Sequence, residues 1–184
     1  LMDAPPEKED CVPFVTIDQF FDRHGVRVPH IVAQDLQQGF LLLEDFGDVL
    51  LSTLLNNDTV DAYYAQSFQQ LIALQAIDGA AHFPEYSYEK LISEMALLTD
   101  WLLPSLNIQP TQDQQALIKR TFAILANAAL AQPQVIVHRD FHSRNLMEIA
   151  GETELGVIDF QDAVIGADTY DLISITRDAY VQWN

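Results

Sequence analysis

Three side chains late in the sequence have the types and spacing needed for phosphoryl transfer. His138-Arg139-Asp140 is followed, five residues after Asp140, by Asn145, and Asp159 stands behind the apolar run Leu155, Val157, Ile158. H-R-D-x-x-x-x-N, then a D-F dipeptide leaving a strand, is a phosphoryl-transfer arrangement. Such a reaction asks little covalent chemistry of a protein. It asks for an aligned hydroxyl and for countercharge on phosphate oxygens. In this reading Asp140 takes the proton of the attacking hydroxyl. Asn145 offers a neutral amide oxygen, and Asp159 a carboxylate, to Mg²⁺, which prefers such hard oxygen ligands.

These residues need strands to hold them. Val135-Ile136-Val137 is a β-branched run that carries the Asp140 loop out of a buried strand. Asn145 to Ile149, a Gly151-centred acidic turn, and Leu155 to Phe160 read as a hairpin. The hairpin would place Asn145 and Asp159 at the same end of two neighbouring strands. A lone H-x-D is a weak signal, whereas the full set with its strands is specific.

The chain has 184 residues, 49% hydrophobic content and one cysteine. That length suffices for one good-sized core. No apolar run is long enough to span a bilayer. Leu1 to Asp10 is acidic and Pro-rich, unlike a signal peptide. The net charge of −18 argues against nucleic acid and anionic membrane as partners. A lone Cys11 cannot form an internal disulfide, which suits a reducing cytoplasm. It reads as a half-buried small residue. Oligomeric state is not legible.

In chain order, Leu1 to Asp3 reads as the tail of a strand. Val15 to His24 is a short amphipathic helix closed by Gly25. Ile31 to Leu36 and Phe40 to Leu43 form a hairpin, and Glu44 to Asp48 a crossover. Val49 to Leu55 begins helical structure. A helix from Thr59 to about Ile77 has Tyr64, Phe68, Leu71, Ile72 and Gln75 near its inner face. A second runs from Tyr88 to Leu103, stopped by Pro104, with Leu91, Met95, Leu98 and Leu102 as its stripe. A third, Thr111 to Leu130, has Leu117, Phe122, Ile124 and Leu125 as core candidates. Ser174 to Trp183 starts one more helix. The pattern is an α+β chain: a small partly β lobe over residues 1–46, with a helical lobe over 47–184 that carries the catalytic strands. Ligands favour such lobe interfaces.

On these residues the chain resembles the aminoglycoside phosphotransferase and choline kinase family, small-molecule kinases with a protein-kinase-like two-lobe fold. H-R-D-F-H-S-R-N-L-M at His138 to Met147 and G-V-I-D-F-Q-D-A-V-I-G-A-D-T-Y-D-L at Gly156 to Leu172 are similar to a narrower branch. So are M-D-A-P-P-E at Met2 to Glu7 and L-L-E-D-F-G-D at Leu42 to Asp48. That branch phosphorylates the anomeric hydroxyl of N-acetylmuramate and N-acetylglucosamine in the cytoplasm, in bacterial cell-wall recycling. The resemblance implies ATP and Mg²⁺ as cofactors and an amino sugar as small-molecule substrate. It implies Asp140 as base, Asn145 and Asp159 as metal ligands, and His138 as a brace. Asp171 would hold the catalytic-loop backbone, and Glu44, Asp45 and Phe46 would lie along the adenine. The family's phosphate-covering turn and strand lysine have no counterpart, since Lys8, Lys90 and Lys119 sit elsewhere. The chain therefore reads as a partial N-lobe with most of a C-lobe, the middle of a longer kinase.

Other residues keep two readings. Arg144 contacts a phosphate or acidic sugar group, or is a surface arginine. His142 orients the loop, touches substrate or faces solvent. Asp162 meets a second metal or caps a turn. Trp101 stacks on a sugar or belongs to the core. Three rival functions remain. One is a metal-dependent hydrolase using His138, Asp140 and His142. Another is a kinase-like binding module without turnover. The third is a kinase with an aminoglycoside or choline acceptor, which the negative charge suits.

Overall fold

The computed structural model describes residues 1–182. Its first unit is an antiparallel sheet in the order β1–β3–β2, from Met2–Asp3, Phe40–Leu43 and Ile31–Asp35 respectively. The β2–β3 turn requires Gly39. Its φ is +78°, its carbonyl accepts the Ala4 N–H, and a Cβ there would fall 2.0 Å from the Ala4 oxygen. Helix α1, Val12–Arg23, begins with a proline in its first turn, where the missing N–H costs nothing.

Phe14 and Phe21 of α1 reach past the sheet to Phe160, with ring centroids at 5.1 and 5.8 Å. The principal core is therefore continuous. Phe21, Val26 and Val28 join Leu71, Leu74, Ile136, Phe141, Leu146, Val157 and Phe160. Packing Phe160 against these two rings holds the backbone beside Asp159.

Helix α2, Val60–Gln75, buries Ser67, Gln70, Leu71 and Leu74. Of the expected face, Leu71 is buried and Phe68 packs against the core, whereas Ile72 is 67% exposed. Polar Ser67 and Gln70 share the inner face with Leu71 and Leu74 because hydrogen bonds satisfy them. Ser67 Oγ donates to the Tyr63 carbonyl, and Gln70 Oε1 accepts the Arg27 N–H. Only one 3₁₀ turn, Leu51–Thr53, forms in the segment expected to begin a helix.

The single helix expected from Tyr88 to Leu103 is three pieces: α3 at Tyr88–Met95, a π turn at Leu98–Leu102, and α4 at Leu103–Ser105. Pro104 lies inside the last piece rather than stopping the helix. It has no N–H for the Asp100 carbonyl, and the turn before it widens. Leu98, Trp101 and Leu102 are exposed here, so Trp101 is not core. Helix α5, Gln112–Leu130, opens with a capping box between Thr111 and Gln114. Its core candidates Leu117, Ile124 and Leu125 are exposed, and Ala126 is the buried residue. Cys11 is buried rather than half-buried, 6% exposed.

Strand β4, Gln134–Val137, pairs antiparallel with β7, Val164–Ala167. The sequence reading has no counterpart for β7, because a four-residue apolar run containing glycine carries no diagnostic period. Strands β5, Leu146–Glu148, and β6, Leu155–Val157, form the expected hairpin. Helix α6 spans Tyr170–Thr176, earlier and shorter than expected, and Trp183 lies outside the described residues. Among the described residues no helix is long and apolar enough to cross a membrane.

Candidate active site

The β5–β6 register, Leu146 opposite Val157, brings the residues flanking the hairpin together. The Ile158 N–H donates to the Asn145 carbonyl at 3.1 Å, extending the ladder by one step. Asn145 Nδ2 then donates to the Asp140 carbonyl at 3.0 Å and lies 3.2 Å from Asp159 Oδ2. Asp159 has a left-handed backbone, φ +65°, which a non-glycine residue adopts only when its surroundings hold it. Buried Phe160 supplies that hold. Gln161 Nε2 donates to Asp159 Oδ1 at 2.8 Å. Asp140 and Asp159 are exposed and Asn145 is half-buried.

Beside them lies a cleft of about 540 Å³ lined by Met2, Cys11, Phe14, Asn145, Asp159 and Asp162, among others. It runs from the first strand to the hairpin end. Asp140 does not line it, nor do Glu44, Asp45 and Phe46.

The backbone of the Asp140 loop is fixed from below. Buried Asp171 accepts the His138 N–H at 2.7 Å and the Arg139 N–H at 3.1 Å. Burial pushes its carboxyl up to about 7, against the downward pull of those two donors. His138 is fully buried, and Nε2 donates to the Ile158 carbonyl at 3.0 Å. Burial lowers its pKa to about 4, so the ring is neutral. It links the Asp140 loop to the residue preceding Asp159.

His142 and Arg144 both pack on Tyr180. The His142 ring meets it edge-on at 5.0 Å, and the Arg144 guanidinium lies 4.7 Å over it. Asp162 is exposed, 3.6 Å from Arg139.

Glu44, Asp45 and Phe46 are placed differently from the other expected residues. Glu44 makes a two-pronged bond with Arg27, at 2.6 and 2.8 Å, and Arg27 also binds Glu152 in the β5–β6 turn. The hydrogen bonds from Arg27 hold Glu44 down at about 2. Phe46 is buried under that guanidinium, and Asp45 accepts the Gly47 N–H. Both Glu44 and Phe46 side chains are committed, so a ligand edge here would meet the backbone.

The sequence reading did not single out Arg27, Glu94, Glu152, Gln161 or Asp178. Asp178, just past α6, accepts the Ser143 N–H at 2.8 Å and closes the Asp140 loop. Arg139 stands inside the H-R-D motif, yet its partner Glu94 is 45 residues away and carried no signal.

The donor set fits Mg²⁺. The Asn145 amide nitrogen donates to the Asp140 carbonyl and to Asp159 Oδ2, so the amide oxygen is the atom of Asn145 that would serve a metal together with the Asp159 carboxylate. Two hard protein oxygens, completed by phosphate and water, are a set Mg²⁺ accepts. Among the described residues no three His, Cys, Asp or Glu assemble as a metal cluster, and His138 is spent on a carbonyl. The hydrolase arrangement therefore lacks its ligands.

The sequence model for a phosphotransferase enzyme family matches residues 1–184. An N-acetylmuramate/N-acetylglucosamine kinase of Pseudomonas putida is 41% identical over 184 residues, covering 100% of this chain and 54% of that protein. The kinase of the same name from Pseudomonas aeruginosa is 42% identical, again over 100% of this chain and 54% of its own. The chain thus spans about half the length of these curated relatives. Among solved structures, ADP-bound aminoglycoside phosphotransferase APH(2'')-Ib superposes with a TM-score of 0.62 at 21% identity, over 88% of this chain and 58% of that one. The protein-kinase-like fold is thereby shared.

Proposed function

We propose, on the premise that the chain belongs to the phosphotransferase enzyme family, that it carries the catalytic centre of an ATP- and Mg²⁺-dependent cytoplasmic sugar kinase. Its acceptor is the anomeric hydroxyl of N-acetylmuramate or N-acetylglucosamine. The observation that carries the reading is the Asn145 amide between the Asp140 carbonyl and the Asp159 carboxylate, at 3.0 and 3.2 Å. The whole-chain likeness to kinases of those two sugars supports the choice of acceptor.

Bound Mg-ATP supplies the phosphoryl group and the countercharge for its oxygens. The Asn145 amide oxygen and the Asp159 carboxylate would hold the metal. Asp140 accepts the proton of the attacking hydroxyl and directs its lone pair in line with the transferred group. Neutral His138 keeps the Asp140 loop and the Asp159 loop in register without adding charge. Glu44, Asp45 and Phe46 offer backbone groups to the adenine edge.

A second reading keeps this mechanism with a cationic acceptor, an aminoglycoside or choline. The net charge of −18 favours it by long-range steering. The test is a substrate screen on the full-length protein with Mg-ATP and N-acetylmuramate, N-acetylglucosamine, kanamycin or choline, following ADP release. Turnover with the amino sugars and a 1-phosphate product in ³¹P NMR is expected. Turnover with only the cationic acceptors would establish the second reading. ATP binding without turnover on any of them would leave a binding module.

A further inference from the structure

The residue before the candidate base is strained, and its side chain is clamped. Arg139 has φ +78°, a left-handed conformation that L side chains rarely adopt. Such a backbone persists where its surroundings over-determine it. Asp171 holds the Arg139 N–H at 3.1 Å. At the other end, Nη2 donates to Glu94 Oε1 at 2.8 Å, and Nη1 reaches the Asp162 carbonyl at 3.4 Å. The Tyr86 hydroxyl donates to the second Glu94 oxygen, so both carboxylate oxygens are directed. The Tyr86 ring also lies 5.7 Å below the guanidinium. The Asp162 carboxylate also faces the guanidinium, but it is 66% exposed and 3.6 Å away.

Glu94 comes from α3, which has no fully buried side chain. The helix buries little of itself, yet it supplies the anion that pins the catalytic loop. The geometry points to Glu94 as a positioning residue for Asp140: it fixes the Arg139 side chain, keeps the left-handed turn from relaxing, and so sets the direction of the next carboxylate. The role of Asp140 in this inference rests on the kinase reading above.

Glycine adopts φ near +80° without a clamp. Arg139→Gly should therefore make Glu94 dispensable, and that separates positioning from simple support of α3. In the full-length protein, Glu94→Gln keeps the size and the Tyr86 contact but removes the charge. The expected result is a kcat lower by roughly ten- to a hundredfold, a change in scale with small misplacements of reacting groups. KM for ATP should stay within about twofold, and Glu94→Asp should recover part of the loss. In the Arg139→Gly background, Glu94→Gln should cost nothing further. Hydrogen exchange of the amides from His138 to Asn145 gives a readout independent of turnover. It should quicken in Glu94→Gln alone and match its parent in the glycine background.

Equal losses in both backgrounds, wild-type behaviour of Glu94→Gln, or loss of all turnover in Arg139→Gly would overturn the inference. Absence of turnover by the unaltered protein on every acceptor would sink the kinase reading instead. The exchange comparison would then still decide whether Glu94 holds the turn.

Discussion

Asp171 grips His138 by its backbone: Oδ2 accepts the His138 N–H at 2.7 Å while Oδ1 takes the neighbouring N–H of Arg139. One buried carboxylate thus satisfies two consecutive donors at the start of the catalytic loop. Asp171→Asn replaces one of those acceptors with a donor facing a donor. The expected cost is about 1–3 kcal/mol of stability, together with a clear loss of kcat. Urea unfolding and steady-state kinetics measure both. Unchanged stability would show that the loop does not depend on this grip.

Asp140→Asn removes the proton acceptor and leaves the Asn145 bond to the Asp140 carbonyl in place. Turnover should fall by roughly 10²- to 10⁴-fold, the usual scale for a general base, while ATP still binds. Asp159→Asn should instead raise the Mg²⁺ concentration needed for half-maximal rate. A Mg²⁺ titration of both variants separates the roles, and near-normal turnover in Asp140→Asn would remove Asp140 from the chemistry.

Much of this site was legible because its spacing is local. Asp140 and Asn145 share one loop, and Asp159 is tied to them by a hairpin whose turn residues are visible at Gly151. What escaped was of two kinds. Long-range pairs such as Glu94 with Arg139, or Arg27 with Glu44 and Glu152, leave no periodic trace, since each partner alone reads as a surface charge. Inner faces of helices were misplaced where polar residues do the packing, as Ser67 and Gln70 do on α2. On α5, apolar Leu117, Ile124 and Leu125 point outward, so apolar identity alone misled. Glu44 to Phe46 were singled out as a segment, the one expected along the adenine. Their side chains were not, because the role of Glu44 depends on an arginine 17 residues earlier.

Gly156 in β6 is where the Glu44 to Asp48 crossover meets the hairpin. A Cβ there would lie 2.3 Å from Phe46 Cε2 and 2.4 Å from Cδ2. Glycine in a strand commonly marks such a close approach. Gly156→Ala should therefore destabilise the protein by about 1–3 kcal/mol, as overpacking does, and raise KM for ATP through displacement of Phe46. Phe46→Leu removes the clashing ring edge, so the double variant should recover most of the loss. Equal destabilisation by Gly156→Ala in both backgrounds would place the problem in the strand backbone instead.

Asp18 sits on the inner face of α1, 2% exposed, and its Oδ2 has no hydrogen-bond partner among the described residues. Burial pushes its pKa up to about 7, and nearby Asp22 adds to the shift. In the unfolded chain the same carboxyl titrates near pH ~3.9. The folded state therefore binds this proton more tightly. Below about pH 4 both states are neutral at Asp18 and it costs nothing. As pH rises from there through the folded value, the unfolded chain ionises freely while the folded one must bury a charge, so stability is lost. Asp18→Asn cannot ionise. Its advantage over the natural residue should grow between about pH 4 and pH 7 and then level off, reaching about 1–3 kcal/mol, the scale of an unsatisfied buried polar group. Unfolding midpoints in urea at pH 5, 6, 7 and 8 measure this directly. A difference that does not change with pH, or a variant less stable at pH 8, would mean that Asp18 is paired in solution and that its charge supports α1.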